Sequence, residues 1–328
     1  MAVLNALLGL TNFSNPFLRT LIPSISLAYT LQAAVAIPSI LTHSEQFYDL
    51  SGSLTYLSCT ALSLYLPALR ARAAAAAIGA TKPAWPSLLA TLTGKAAAGG
   101  AFNWRQIVLS AAVSIWATRL GSYLFQRISA EGTDSRFDSI RDSAPKFAGA
   151  FMAQATWVSL CLLPVLAVNS IPAAALASLP AIALTDVLGL ALYIGGISFE
   201  VTADRQKNNW MTEKREKKHD EDFLTRGLWS KSRHPNYFGE STLWTGIATL
   251  AGGVLMSNVG QVGMGLTGSL SGRLLALGMA GISPAFVTFL LLKVSGVPMS
   301  ETKYDKRYGD RKDYQEWKKT TPMFIPKL

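Results

Sequence analysis

The densest chemistry in this chain is the run Gly227-Leu-Trp-Ser-Lys-Ser-Arg-His-Pro-Asn-Tyr-Phe-Gly-Glu240, where a charged stretch meets an apolar one. Arg233, His234, Asn236, Tyr237 and Glu240 offer a cation, an imidazole, an amide, a phenol and a carboxylate within eight residues. Pro235 disfavours helix at His234, so the chain should turn there, and it suits the first turn of the helix that follows. The free amides of that helix start favour an anion. Arg233 beside them can make bidentate contacts to phosphate. Together these features describe a cradle for a phosphorylated cofactor.

Four ionisable positions fall inside apolar runs: Arg119, Asp186, Glu200 and, closing the run above, Glu240. A lone charge at mid-bilayer costs roughly 3 kcal/mol, so each needs a partner or a wet cavity. Glu200 and Glu240 lie near the same-side ends of their runs, and Arg119 lies about two helical turns from such an end. The three are expected to converge on one pocket. For any one of them alone, a structural ion pair or snorkelling is an equally good account. Asp186 is expected at the opposite interface. His43, His219 and His234 are too few for a histidine-rich di-iron site. Cys59 and Cys161 both sit in apolar runs. Neither a disulfide framework nor a metal site is expected.

The elements that must hold these groups follow from composition. Of 328 residues, 50% are hydrophobic and only 15% charged, against about 25% charged in soluble domains. Seven apolar runs of 19 to 23 residues stand out, at 21–41, 50–69, 106–125, 147–168, 181–203, 237–257 and 274–292. Each matches a hydrocarbon core about 30 Å thick, and none shows the period-two alternation of a β-barrel. An all-α, polytopic membrane bundle of about seven helices is therefore predicted, with its cofactor pocket in the carboxy-terminal half. Residues 1–20 form a leading segment without a signal-peptide pattern, and 21–328 are expected to be a single domain.

The net charge of +10 is not spread as a nucleic-acid stripe: 17 of 30 Lys and Arg lie in 204–235 and 294–328, directly after apolar runs. With a cytosolic carboxy terminus, the cytosolic segments hold 21 positive residues and the opposite face seven. Five of those seven fall in 70–105, an Ala- and Gly-rich stretch read as a loop or partial span, which leaves the orientation of the first two spans open. The loop 204–236 and the tail 294–328 are cytosolic on this reading. Residues 304–317 are expected to form an amphipathic helix over the pocket or on the headgroups.

Further blocks complete a pattern: Trp116-Ala-Thr-Arg-Leu-Gly-Ser-Tyr-Leu-Phe-Gln-Arg127, Asp134-Ser-Arg-Phe137, Phe199-Glu-Val-Thr-Ala-Asp204, and the tail Glu301-Thr-Lys-Tyr304 with Arg307-Tyr-Gly309, Tyr314 and Ile325-Pro326. With the 232–240 run, they make the chain resemble the steroid 5-alpha-reductase-like integral membrane family, in a branch of uncharacterised members, from about Tyr48 onward. The 232–240 run and the tail are shared with isoprenylcysteine-type methyltransferases and sterol reductases. The resemblance implies an NADPH-dependent oxidoreductase reducing a carbon–carbon double bond conjugated to a carbonyl, in a sterol-like or other lipid, within the endoplasmic reticulum membrane. By position it assigns Asn236 and Glu240 to the nicotinamide region and Glu200 and Asp204 to the adenosine side. Arg119, Arg233, His234, Tyr237 and Tyr304 are further cofactor contacts.

Such a reaction needs a group that stabilises a developing enolate oxygen. Asp49 resembles the family's carboxyl group. Where the steroid branch has a tyrosine one turn before the matched arginine, this chain has Trp116, and Tyr56 or Tyr123 is the candidate substitute. The plainer account of both is packing between helices. Two other functions fit the same residues: an S-adenosylmethionine-dependent methyltransferase, and a non-catalytic lipid-binding relative. The formal dinucleotide fingerprint Gly263-Met-Gly-Leu-Thr-Gly268 is discounted, because no strand is predicted before it.

Overall fold

The computed structural model describes residues 2–93 and 101–327. The chain runs through α1 (Ala2–Leu10), α2 (Pro16–Leu41), α3 (Tyr48–Ala77), α4 (Leu88–Leu92), α5 (Trp104–Glu131), α6 (Ala144–Ser170) and α7 (Ala173–Leu176). It continues through α8 (Leu184–Arg215), α9 (Pro235–Met256), α10 (Asn258–Gly263), α11 (Leu270–Phe289), α12 (Gly296–Tyr308) and α13 (Lys312–Thr320). No strand occurs among the described residues. Helices α2, α5, α6 and α8 and the run Leu270–Tyr308 are long and apolar enough to cross a membrane. The protein is an integral membrane protein built as a polytopic helical bundle.

The other two predicted spans are also helical, within α3 and α9, but less apolar for a physical reason. On α3 the polar side chains turn inward: Ser51, Thr55, Thr60 and Ser63 are all buried. On α9 the hydroxyls of Thr242, Thr245 and Thr249 donate back to the carbonyls of Phe238, Ser241 and Thr245. A helix can thereby carry hydroxyls without leaving their donors unsatisfied in lipid.

Several element limits differ from expectation. Residues 70–77, read as loop or partial span, extend α3: Ala73–Ala77 is a strong helix-forming run, and the Arg70 Nη atoms donate to the carbonyls of Leu8, Thr11 and Arg19. Residues 94–100 of the same predicted loop lie outside the described residues. The segment 204–215, also predicted as loop, continues α8, whose 32 residues extend about 48 Å. Its last turn carries Lys214 and Arg215, which suit a helix carboxy terminus. The predicted helix 304–317 is two helices, broken between Tyr308 and Lys312. Helix α2 starts at Pro16, ahead of the predicted 21, where the Asn15 side chain caps the amide of Leu18. Asp186, in the first turn of α8, is buried within the protein at 1% exposure. The discounted glycine fingerprint is the end of α10 and a turn.

The sequence predicts one domain over 21–328; backbone contacts divide the chain into two compact units, Met1–Thr185 with Leu250–Ile282, and Asp186–Thr249 with Ser283–Leu328. In the first, α2 packs on α3 and α6, and α3 also packs on α5 and α6. Polar side chains stitch this bundle together, as expected where lipid offers no hydrophobic drive for helix association. Gln32 donates to Thr55 (2.9 Å), Gln154 to the Tyr48 carbonyl (2.9 Å), and Asn169 to Ser63 (2.9 Å) and Ser110 (3.2 Å).

In the second unit, α8 and α9 approach backbone to backbone. A Cβ added at Gly196 would lie 2.4 Å from the Leu243 nitrogen and 2.7 Å from the Gly239 oxygen. At Gly239 it would lie 2.6 Å from the Glu200 nitrogen, and at Gly246 2.5 Å from the Tyr193 nitrogen. The neighbouring atoms are backbone and cannot swing aside. Gly239→Ala should therefore destabilise the protein by ~2 kcal/mol, the scale of an overpacked core. Gly195→Ala, with nothing within 4 Å of its added Cβ, should be neutral or slightly stabilising. Melting temperatures in detergent would check this; equal values for the two variants would remove the glycine seam as a constraint.

Candidate functional site

In the second unit the run 227–240 is folded around the start of α9. Ser232 Oγ donates to the Phe324 carbonyl (2.8 Å) and accepts from the His234 amide (3.1 Å). The amides of Arg233 and Lys327 donate to the carbonyls of Pro322 and Lys231, both at 2.9 Å. The tail thus runs alongside residues 231–233 and fixes the turn that Pro235 requires. Helix α9 begins at Pro235, as the sequence predicts.

Both side chains at that turn reach one carboxylate. Arg233 Nη1 donates to Glu301 Oε2 at 2.7 Å. His234 Nε2 lies 2.9 Å from Glu301 Oε1 and carries the proton there, because a carboxylate only accepts. Lys318 Nζ is 3.1 Å from the same carboxylate and also pairs with Asp305. Burial pulls the Lys318 ammonium down, but Asp305 and Glu301 together hold it above its ordinary range.

Two buried polar atoms here have no hydrogen-bond partner among the described residues: Arg233 Nε and Asn236 Oδ1. Such atoms are costly unless something binds them. The Tyr237 ring stacks on His234 at 5.5 Å, and Gly296 lets the chain pass that ring, since a Cβ there would lie 2.9 Å from Tyr237 Cε2.

The glycine seam sets the Glu200 backbone against Gly239, the residue before Glu240, and Glu200 and Glu240 are both buried (3% and 8% exposed). Half-buried Asp204 follows Ala203, whose carbonyl accepts from Trp229 Nε1 at 3.0 Å. Tyr304 packs instead in an aromatic group with Phe223, Tyr308, Tyr314 and Trp317. Glu301 and Lys318 are not among the sequence-predicted contacts. The signal for Glu301 was its place in the tail block with Tyr304; nothing in the sequence marks Lys318.

The remaining predicted residues, Asp49, Tyr56, Arg119 and Tyr123, lie in the first unit. Asp49 Oδ2 accepts from Arg136 Nη2 at 2.6 Å, and Arg127 stands 3.9 Å away. The Tyr56 ring is fully buried with its edge against Trp116, centroids 5.1 Å apart. Arg119 and Tyr123 are half-buried on α5. Around Asp49 is a layer of charge: Asp134 pairs with Arg127 and Arg136, and Glu45 with Arg141. Burial raises the carboxyls of Glu45 and Asp134, but the arginine hydrogen bonds outweigh it and hold both below their usual values.

A family profile described as a protein of unknown function, DUF1295, matches residues 71–321. No curated protein and no solved structure matches the chain.

The charge layer predicts an acid-sensitive fold. Carboxylates with lowered folded values add stability above their unfolded values, about 4, and lose it as pH falls through the folded ones. Glu45→Gln should lower the melting temperature in detergent at pH 7 and flatten its decline on acidification. An unchanged decline would mean that Glu45 contributes nothing to acid sensitivity.

Proposed function

The chain belongs to the DUF1295 family, and from its own site we propose that it is an NADPH-dependent reductase of a carbon–carbon double bond conjugated to a carbonyl in a sterol-like or other lipid. The observation that carries the reading is the pair of unspent atoms at the start of α9. Arg233 Nε is a buried donor suited to a phosphate oxygen, and Asn236 Oδ1 a buried acceptor suited to a carboxamide N–H.

These residues fit the cofactor as a set. Arg233 and the α9 start would hold the phosphates, Asn236 and Glu240 the nicotinamide end, and Glu200 and Asp204 the adenosine side. When bound, NADPH supplies the hydride. Glu301 holds Arg233 and His234 in place and keeps the imidazole proton on Nε2. The buried setting of Glu200 and Glu240 excludes water from that wall. The resemblance would give donation to the developing enolate oxygen to Tyr56 or Tyr123 of the first unit, where Asp49 orders the arginine layer through Arg136. The excess of 21 over seven positive residues supports a cytosolic carboxy terminus, and the reading places the protein in the endoplasmic reticulum membrane.

Purified protein in detergent should bind NADPH saturably, seen as enhanced nicotinamide fluorescence. Asn236→Ala and Glu240→Ala should each weaken binding by about five- to tenfold, the loss of one buried hydrogen bond. Absence of NADPH binding, with S-adenosylmethionine bound instead, would overturn the reductase and favour a methyltransferase.

A further inference from the structure

Helix α12 has two faces of different chemistry. Val297, Glu301, Tyr304 and Tyr308, spaced four, three and four apart, form one stripe: Val297 and Tyr308 are buried, Glu301 meets Arg233, and Tyr304 joins the aromatic group. The other face carries Met299, Lys303, Lys306 and Arg307, all exposed.

The charge on that outer face is not neutralised within the protein. The tail's acids are largely consumed: Glu301 by Arg233, His234 and Lys318, Asp305 by Lys318, and Asp313 by Arg311. Lys303, Lys306, Arg307, Lys312 and Lys319 enter no ion pair among the described residues, and only Asp310 and Glu316 remain to offset them. The tail also exposes apolar side chains: Met299 at 43% on the same face of α12, and Met323 at 38% and Ile325 at 69% beyond α13. Helix α12 also continues directly from an apolar helix able to cross a membrane. Unpaired cations interleaved with exposed apolar groups, on a helix leaving the bilayer, complement a surface of phosphate headgroups.

We infer that the outer face of α12, with the exposed lysines of α13, binds the anionic phospholipid headgroups of the leaflet from which α12 emerges. The inner stripe holds α12 against the α9 start while the outer face rests on the lipid. The surface is separate from the proposed cofactor contacts, so it stands or falls independently of the reductase reading.

The test uses full-length protein in nanodiscs of phosphatidylcholine alone, or with about a quarter phosphatidylserine. Deuterium uptake over residues 296–320 should slow by at least roughly threefold in the anionic discs, and about 0.5 M salt should reverse this. The variant Lys303→Gln/Lys306→Gln/Arg307→Gln, whose side chains are exposed, should melt like the wild type and lose the slowing. Equal uptake in the two bilayers, slowing that survives high salt, or slowing retained by the triple variant would overturn the inference. So would equal slowing produced by soluble glycerophosphoserine in phosphatidylcholine discs, which would mean capture of single headgroups and not docking on a surface. If the triple variant fails to melt cooperatively, the wild-type salt titration decides alone.

Discussion

The second unit depends on one steric constraint, the contact of α8 and α9 without side chains between them. Gly196, Gly239 and Gly246 have backbone atoms of the opposing helix where a Cβ would stand. Gly196 and Gly239 face one another, and Gly246 meets Gly189 one repeat away, so the helices run antiparallel with a fixed register. Because the contact is backbone on backbone, sliding by one residue would replace a glycine with a side chain and force the helices apart. That register sets Glu200 beside Gly239. The backbone of Glu200 is thereby fixed against the residue that precedes Glu240, independently of either carboxylate side chain.

A second constraint fixes the approach to α9. Two cations and an imidazole, Arg233, Lys318 and His234, share the carboxylate of Glu301. Removing that carboxylate would leave Arg233 and His234 half-buried or buried without their acceptor, which costs more than the pairing itself contributes. The tail contributes twice, through α12 by Glu301 and through residues 322–327 by backbone bonds to residues 231–233. The charged tail, read from the sequence as cytosolic and lying over the pocket or on the headgroups, is thus a wall of the candidate site. Arg233 can present its Nε because Nη1 is already anchored.

What the sequence reveals and conceals follows from these contacts. Helix positions are legible, since long apolar runs in a bilayer admit little else, and so is the turn at His234, because Pro235 acts locally. The register of α8 on α9 is not legible: a glycine in an apolar run looks only like a weak helix former, and its meaning appears once a partner backbone stands opposite. The same holds for α3, where Ser51, Thr55 and Ser63 lower the apolarity of a helix whose polar stripe faces its neighbours. The partners of Asp49 and Arg233 are distant in sequence, at Arg136 and Glu301, and charge counts along the chain cannot select them. A mixed-charge stretch such as 213–218 offers equally good partners by composition.

The pairing of Asp49 bears on how the proposed reaction would find its proton. A carboxylate that accepts from Arg136 at 2.6 Å within an arginine layer is an acceptor in that arrangement. Stabilising an enolate oxygen requires a donor. A phenol meets that need without ionising, and Tyr56 is a buried phenol seven residues along the same helix from Asp49. Its ring edge rests on Trp116, the residue standing where the resembling steroid branch has a tyrosine. The tryptophan therefore occupies space against Tyr56 and does not simply delete a hydroxyl from that layer. In the proposed reaction Tyr56 on α3, or Tyr123 on α5, supplies that phenol, and Asp49 serves to hold Arg136 in the arginine layer.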